Sequence, residues 1–394
     1  MLEGKKILIA ISGSIAAYKI ISLTRLLIKE GAEVKIVMTE AASKFVSPLV
    51  LSTLSNNKVI IDLFKEDLWA NHVMLGRWAD LMVIAPLSCN TLAKMAHGFC
   101  DNLLVSVYLS ATCKVMCAPA MDEDMWHHPT TQQNIATVKN NGNIVLDVAN
   151  GDLASGLKGE GRMLEPEEIL LSIKSFFRKD NFKGKRVLIT SGPTYEVIDP
   201  VRFIANHSTG KMGTALAEAF YLLGAEVTLI SGPAKVLPQY KEISILPVVS
   251  AEEMYDSCLD NFSKCDIAIL AAAVADYTPI EKATQKIKKK EAIFDLKLKK
   301  TKDILKELGK QKKNQIVVGF ALETNNAMTN AETKLVEKNA DYIVLNSMED
   351  TGAGFGFDTN SVIVLDKNGD KNESGLLSKE DAAYFIASII EKKM

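Results

Sequence analysis

Residues 5–13 read KKILIAISG, and residues 185–192 read KRVLITSG. In each, a short apolar run ends in Ser-Gly. After the first, Ile15, Ala16, Ile20, Leu23, Leu26 and Leu27 recur at helical spacing. Both helical stretches close on the same four residues, GAEV, at 31–34 and 224–227, which open a second apolar run. A strand, a glycine turn, a helix and a second strand make a βαβ unit. Its turn, at a helix N-terminus, is a natural phosphate cradle. Two copies about 180 residues apart predict two nucleotide-handling domains in tandem.

The rest of the chain extends this pattern. Apolar runs at 81–85, 115–118 and 144–146 continue the first half. Runs at 187–190, 227–230, 267–271, 316–320, 342–345 and 362–365 build the second. Helical patterns at 166–177, 210–223, 251–263, 302–309, 325–338 and 378–391 alternate with them. The alternation predicts an α/β protein of two tandem Rossmann-like, doubly wound domains. Residues 151–163, GDLASGLKGEGRM, lack periodicity and read as a mobile loop. Charge and glycine cluster at 181–184, which places the domains at 1–182 and 183–394. The lysine-rich stretch 282–302 carries Ile287, Phe294, Leu296 and Leu298 in a strand-like alternation.

Composition narrows the function classes. With 47% apolar and 24% charged residues in 394, the chain reads as a soluble globular protein. A net charge of −2 argues against nucleic-acid binding through a basic surface. No apolar run approaches the roughly 18–20 residues that span a membrane. The lysines before the first apolar run do not make a signal peptide, because Ser12-Gly13 ends that run early. Six cysteines form no CxxC pair and read as reduced, mostly buried thiols of a cytoplasmic protein.

Two constellations carry chemistry. The first begins with GSIAAYK at 13–19, where small residues let backbone N–H groups approach a phosphate. PLSCNT at 86–91 follows a buried run, at the carboxyl edge where α/β sheets place ligands. Ser88, Asn90 and Thr91 offer uncharged donors and acceptors suited to a ring system or ribityl chain, and Ser88 or Asn90 also suits a helix N-cap. His72 stands ahead of Trp78-Ala79-Asp80. Together with PAM at 119–121, Met125-Trp126 and GEGRM at 159–163, these motifs resemble the homo-oligomeric flavin-containing cysteine decarboxylases. The resemblance implies a flavodoxin-like fold and FMN held by Gly13, Ser14, Ile15, Thr39, Ser88, Asn90 and Thr91. It implies that the flavin oxidises a cysteine thiol to a thioaldehyde, whose C=S group accepts the electrons as CO2 leaves. His72 matches the catalytic histidine near the substrate carboxylate, and 151–163 matches the substrate clamp. Two positions depart from the family: Asp122 stands where it has Asn, and Ser155 where it has a proton-donating Cys.

The second constellation lies where the two halves differ. From turn to closing glycine the first copy spans 18 residues, Gly13 to Gly31, and the second 32, Gly192 to Gly224. The 14 extra residues fall within PTYEVIDPVRFIANH at 193–207, which is expected to shape a substrate pocket. NHSTGKMG at 206–213 then starts the helix and is not a P-loop, since Met212 stands at the Ser/Thr position. AAAVAD at 271–276 admits a flat base, with Asp276 for base or ribose, and Lys286, Ile287, Lys288 and Lys289 place cations for a triphosphate. Glu323 follows another apolar run in GFALET at 319–324. Lys334 and Lys338 share a helix face.

SGPT, DPVRFIANHSTGKMG, AAAVADY, KIKK and GFALET, in this order, resemble phosphopantothenate–cysteine ligase, and the fusion resembles the bacterial bifunctional coenzyme A biosynthesis proteins. That implies that 4′-phosphopantothenate attacks CTP to give an acyl-cytidylate and pyrophosphate, and that L-cysteine then displaces CMP. The other domain would decarboxylate the product to 4′-phosphopantetheine. Asn206 matches the residue that handles the acyl-cytidylate, and Lys286 the lysine required for activation. Leu270, Ala271, Ala272, Asp276, Lys286, Lys302, Asp303, Ile304, Leu305, Phe320, Lys334 and Lys338 match CTP contacts. Mg2+ is expected to be bound mainly through CTP, its protein ligands left open. The family's trimeric flavin and dimeric ligase contacts combine into a homo-oligomer, naturally a dodecamer. The residues alone leave open CTP against ATP, and also an oxidoreductase with a nucleotide-binding regulatory domain.

Overall fold

The first apolar run is strand β1 (Lys6–Ile11), buried from Ile7 onward. A 3-10 turn, Ile15–Tyr18, leads into helix α1 (Lys19–Lys29). Gly31, at φ +85°, takes the left-handed conformation that ends helices and favours glycine, and β2 (Glu33–Met38) follows. The computed structural model describes residues 1–394 apart from 66–67, 289–293, 324–326 and 348–357. Lys289, the Glu323 side chain and Thr324 lie outside the described residues. The chain divides into two compact units, Met1–Phe177 and Arg178–Met394.

In the first unit, helices α2 (Pro48–Ser55) and α3 (His72–Trp78) lead to β3 (Leu81–Leu87), buried along its whole length. Then come α4 (Cys89–His97), α5 (Leu103–Ser110), β4 (Lys114–Pro119), α6 (Glu123–His127), α7 (Pro129–Asn140) and β5 (Ile144–Val145). The sheet is parallel in the order β2-β1-β3-β4-β5. This is the flavodoxin order, whose ligand crevice lies between β1 and β3. Residues 151–163 are not the mobile loop that their composition suggests. Strands β6 (Ala149–Asp152) and β7 (Lys158–Arg162) pair there as an antiparallel hairpin. Its glycines bury no side chains, so it leaves no apolar period. Backbone pairing holds it, and the Met121 N–H donates to the Gly161 carbonyl at 3.0 Å. Helix α8 (Pro166–Phe176) closes the unit.

The second unit opens with β8 (Arg186–Ser191). The insert folds into a hairpin, β9 (Glu196–Val197) with β10 (Phe203–Ile204), before α9 (Lys211–Leu222). There follow β11 (Glu226–Ser231), β12 (Ser244–Pro247), α10 (Ala251–Phe262) and β13 (Ile267–Leu270). Strands β14 (Tyr277–Pro279) and β15 (Leu298–Lys300) form a second small hairpin. Then come α11 (Ile304–Gln311), β16 (Ile316–Glu323), α12 (Ala327–Glu337), β17 (Tyr342–Ser347), β18 (Thr359–Asp366), β19 (Lys371–Ser378) and α13 (Lys379–Glu391). The sheet runs β12-β11-β8-β13-β16-β17-β18-β19. It is parallel as far as β17, and β18 and β19 add antiparallel pairs. The parallel part has the dinucleotide-fold order, with its crevice between β8 and β13. Sequence periodicity misses β12 and β19, edge strands with little buried apolar surface. Of the lysine-rich alternation only β15 is a described strand.

The two openings are built alike. The backbone N–H of Lys6 donates to Asp80 Oδ2 at 2.8 Å, and that of Arg186 to Asp266 Oδ2 at 2.8 Å. Each aspartate directly precedes the strand across the crevice. Residues 178–182 pack with the second unit: the Lys179 N–H donates to the Leu222 carbonyl, and the Phe182 ring meets Phe220 edge-on, 4.8 Å between centroids. Three cysteines, Cys117, Cys258 and Cys265, are buried, fewer than expected. Cys89 and Cys113 are half-buried and Cys100 is exposed. Among the described residues no helix is long and apolar enough to cross a membrane.

Gly213 sets how closely α9 approaches β8. A Cβ there would fall on the Ser191 side chain and lie 2.9 Å from the Ser191 Cα. Gly213→Ala is therefore expected to cost about 1–3 kcal/mol through forced displacement of the helix start. Calorimetry should show the transition of this unit falling by several degrees; an unchanged transition would refute the close packing.

Candidate functional site

At the first crevice the carboxyl ends of β1 and β3 are tied together. The Ser12 hydroxyl donates to the Pro86 carbonyl at 2.7 Å and accepts from the Ser88 N–H at 2.8 Å. The Gly13 turn presses against the loop after β2, where a Cβ on Gly13 would lie 2.7 Å from the Ala41 Cβ. Ser14 caps the 3-10 turn through the Ala16 N–H, and Ser88 caps α4 through the Thr91 N–H. The Thr39 hydroxyl accepts from the Ala42 N–H. The structure thus gathers Gly13, Ser14, Thr39, Ser88 and Thr91 at the switch point, with Asn90 exposed at its rim. Ile15 and Tyr18 beside them are 57% and 56% exposed, an apolar rim that suits a flat ring. Small residues, capped turns and uncharged donors fit an FMN phosphate and ribityl chain.

His72 stands half-buried in the first turn of α3, where Asn71 Oδ1 accepts the Met74 N–H at 3.0 Å. Asp122 is the N-cap residue of α6, yet its side chain makes no capping hydrogen bond. Ser155 is exposed at the tip of the β6–β7 hairpin, its hydroxyl accepting the Leu157 N–H. The hairpin base is fixed to the Met121-Asp122 segment at Gly161, where a Cβ would strike the Met121 carbonyl. No cysteine lies on the hairpin. Burial pushes the Cys117 thiol up to about 12, which keeps it protonated and inert.

At the second crevice a cavity of about 770 Å³ opens. Its walls include Asn206, Leu270, Ala271, Ala272, Asp276, Lys302, Asp303, Ile304, Leu305, Phe320 and Lys334, so most of the residues singled out in the sequence converge. The start of α9, Gly210 to Gly213, forms another wall and offers backbone N–H groups. The insert is laid over the AAAVAD segment. The Asn206 amide donates to the carbonyls of Ala273 and Val274, both at 3.1 Å, and the Thr194 hydroxyl accepts the Ala275 N–H at 3.0 Å. Tyr195 and Phe203 stack across the insert hairpin at 3.9 Å.

Two of the expected residues do not line the cavity. Lys338 acts one step back, pairing with Asp303 at 2.8 Å. Burial raises the Asp303 carboxyl, but hydrogen bonds from Lys338 and the Lys306 N–H outweigh it and hold its pKa below the usual carboxylate value. Lys286 is exposed on the segment that runs beside the insert. Sequence reading missed Lys211, Lys300, Asn346, Asn360 and Lys379, all on the cavity wall. Lys211 and Lys300 lay within quoted stretches. Asn360 and Lys379 arrive on β18 and at the start of α13, elements whose periodicity is legible but does not show that they reach this cavity. Among the described residues no three His, Cys, Asp or Glu side chains are placed to hold a metal ion.

Comparison with known proteins divides the chain in the same way. The family model described as "Flavoprotein" matches residues 1–178. That described as "DNA/pantothenate metabolism flavoprotein C-terminal domain" matches 182–394. The chain is 50% identical over 355 residues to a cysteine/cysteine sulfinic acid decarboxylase of an unknown prokaryotic organism, covering 88% of this chain and 98% of that one. It is 45% identical over 392 residues to the coenzyme A biosynthesis bifunctional protein CoaBC of Bacillus subtilis, covering 98% and 96%. The crystal structure of the C-terminal domain of a coenzyme A biosynthesis bifunctional protein CoaBC matches at 41% identity and a TM-score of 0.47, covering 55% of this chain and 98% of that one.

Proposed function

The chain belongs to the family of bifunctional coenzyme A biosynthesis proteins, a flavoprotein unit followed by a pantothenate-metabolism unit, and from this premise we propose how its two sites divide the work. It is a two-activity enzyme, phosphopantothenate–cysteine ligase and phosphopantothenoylcysteine decarboxylase. The second unit joins 4′-phosphopantothenate to cysteine through an acyl-cytidylate, and the first decarboxylates the product. The observation that carries this reading is the 770 Å³ cavity at the β8–β13 crevice, where Asn206 lies over AAAVAD. Lysines 302 and 334 and the α9 N-terminus offer positive potential for a triphosphate, and alanines leave room for a base. Mg2+ would enter with the triphosphate, bridging its oxygens. Asn206 spends its amide N–H groups on two carbonyls, and its Oδ1 would be the atom that meets the acyl-cytidylate.

In the first unit, Gly13, Ser14, Ile15, Thr39, Ser88, Asn90 and Thr91 would hold FMN, which when bound supplies a two-electron acceptor for the substrate thiol. His72 would meet the substrate carboxylate, and the hairpin would close over it. Proton supply does not come from Ser155, whose hydroxyl is a far weaker acid than a thiol. The flavin units join as trimers and the ligase units as dimers, giving a dodecamer.

The test is a turnover assay with CTP, phosphopantothenate and cysteine on the purified, yellow protein. Pyrophosphate and CO2 should both appear, with sustained pyrophosphate release requiring phosphopantothenate and cysteine together, since without cysteine the reaction stops at the acyl-cytidylate. Absence of pyrophosphate with CTP and with ATP would remove the ligase assignment.

Asp122 favours a second reading of the decarboxylase substrate. An acylated cysteine has no ammonium group, whereas free cysteine or cysteine sulfinic acid does. The uncapped Asp122 carboxylate would pair with it. The 50% identical relative is named for those two substrates. CO2 release from free cysteine that exceeds release from phosphopantothenoylcysteine, and that is lost in Asp122→Asn, would establish this reading in place of the first.

A further inference from the structure

Asp199 opens the turn of the insert hairpin, followed by Pro200, the residue pair preferred at the first two positions of a tight turn. Its Oδ1 does what such a turn requires, accepting the backbone N–H groups of Val201 and Arg202, both at 2.8 Å. An asparagine would serve as well. Its Oδ2 is turned elsewhere. It accepts the N–H of Ile287 at 3.1 Å, 88 residues away in the sequence, and lies 3.3 Å from Arg202 Nη1. Arg202 completes the clasp, donating through Nη2 to the Ile287 carbonyl at 3.2 Å. The Ala283 N–H adds a third tie, to the Ile198 carbonyl at 2.9 Å. The Asp199 side chain is inaccessible to solvent. Burial raises its pKa, but three backbone donors and Arg202 outweigh this, so it is held below the ordinary aspartate value and stays charged.

Ile287 is the residue next to Lys286. Lys286 itself is exposed and has no ion-pair partner among the described residues. Both backbone groups of its neighbour are gripped by one buried carboxylate and one arginine of the insert. We infer that Asp199 is a positioning residue for the ligase reaction: its Oδ2 tethers Ile287 and so holds Lys286 where it meets the triphosphate during activation. The inference rests on the reading of this unit as a nucleotide-dependent ligase. It explains why the turn uses a carboxylate, whose second oxygen needs the lysine segment as a donor.

Asp199→Asn isolates the tether. The amide keeps Oδ1 for the turn and replaces Oδ2 by an NH2 that cannot accept from Ile287. Full-length D199N should lose about 10–100-fold in kcat for pyrophosphate release, the scale of a misplaced catalytic group, with the KM for CTP unchanged. In a K286Q background the same substitution should cost nothing further. Hydrogen exchange at the Ile287 amide should accelerate, with flavin absorbance and the melting transition preserved. Full kcat in D199N despite faster Ile287 exchange, or losses that multiply with those of K286Q, would overturn the positioning role. Unchanged Ile287 exchange would overturn the tether itself. Should the unsubstituted protein release no pyrophosphate, the ligase reading fails and the positioning role with it. The Ile287 exchange would still decide the tether on its own.

Discussion

Replacing Lys286 by Gln is expected to lower pyrophosphate release by about 10²–10³-fold, the effect of removing one preorganised donor where charge develops. Attack of a carboxylate on the α-phosphorus of CTP builds negative charge on the phosphate oxygens, and a cation that meets it only then acts on kcat rather than on binding. The placement of Lys286 agrees with this. It lies outside the cavity wall that Lys302 and Lys334 line, so nucleotide affinity should survive its loss. Measured on the full-length protein, K286Q should keep its FMN and bind CTP with near-normal affinity. It should also still decarboxylate supplied phosphopantothenoylcysteine. Wild-type pyrophosphate release in K286Q would refute the role, and a loss of CTP binding in step with kcat would assign Lys286 to binding instead.

Replacing His72 by Asn should have an effect of comparable size in the other unit. CO2 release is expected to fall by about 10²–10⁴-fold, the range for a lost acid–base group, while pyrophosphate release is untouched. The backbone at His72 is held by two features. Asn71 caps α3 through the Met74 N–H, and Gly76 lets the helix sit against α5, where a Cβ would lie 2.9 Å from the Ala111 nitrogen. Asparagine keeps a polar side chain of similar reach on that helix turn, so the loss should report the imidazole. The variant should stay yellow, and flavin absorbance checks that the crevice is intact. Near-normal CO2 release from H72N would remove His72 from the chemistry.

Much of this was legible locally. Buried parallel strands are continuous apolar runs, so β1, β3, β8 and β13 could be read directly. The motifs after them fall on the carboxyl edges because parallel strands all point their ends to one side. The hairpin at 149–162 was not legible, since its glycines leave no apolar period, and one of them, Gly161, serves close approach to Met121-Asp122. The walls contributed by Asn360 and Lys379 were not legible either. They come from one strand and one helix that periodicity does show, but what brings them to the cavity is the antiparallel pairing of β18 with β17 and the packing of α13 on α9.

The sequence by itself determined the two βαβ openings, the residues at each turn, and the insert that distinguishes the second copy. These rest on interactions between near neighbours: periodicity, glycine conformation and caps. Only the tertiary structure decided that the same opening is built into two different sheets, β2-β1-β3 in one and β11-β8-β13 within a longer order in the other. It alone placed the Lys286 segment on the buried Asp199. Strand order and such clasps depend on which distant segments bury apolar surface and satisfy backbone groups together, and no local pattern encodes that choice.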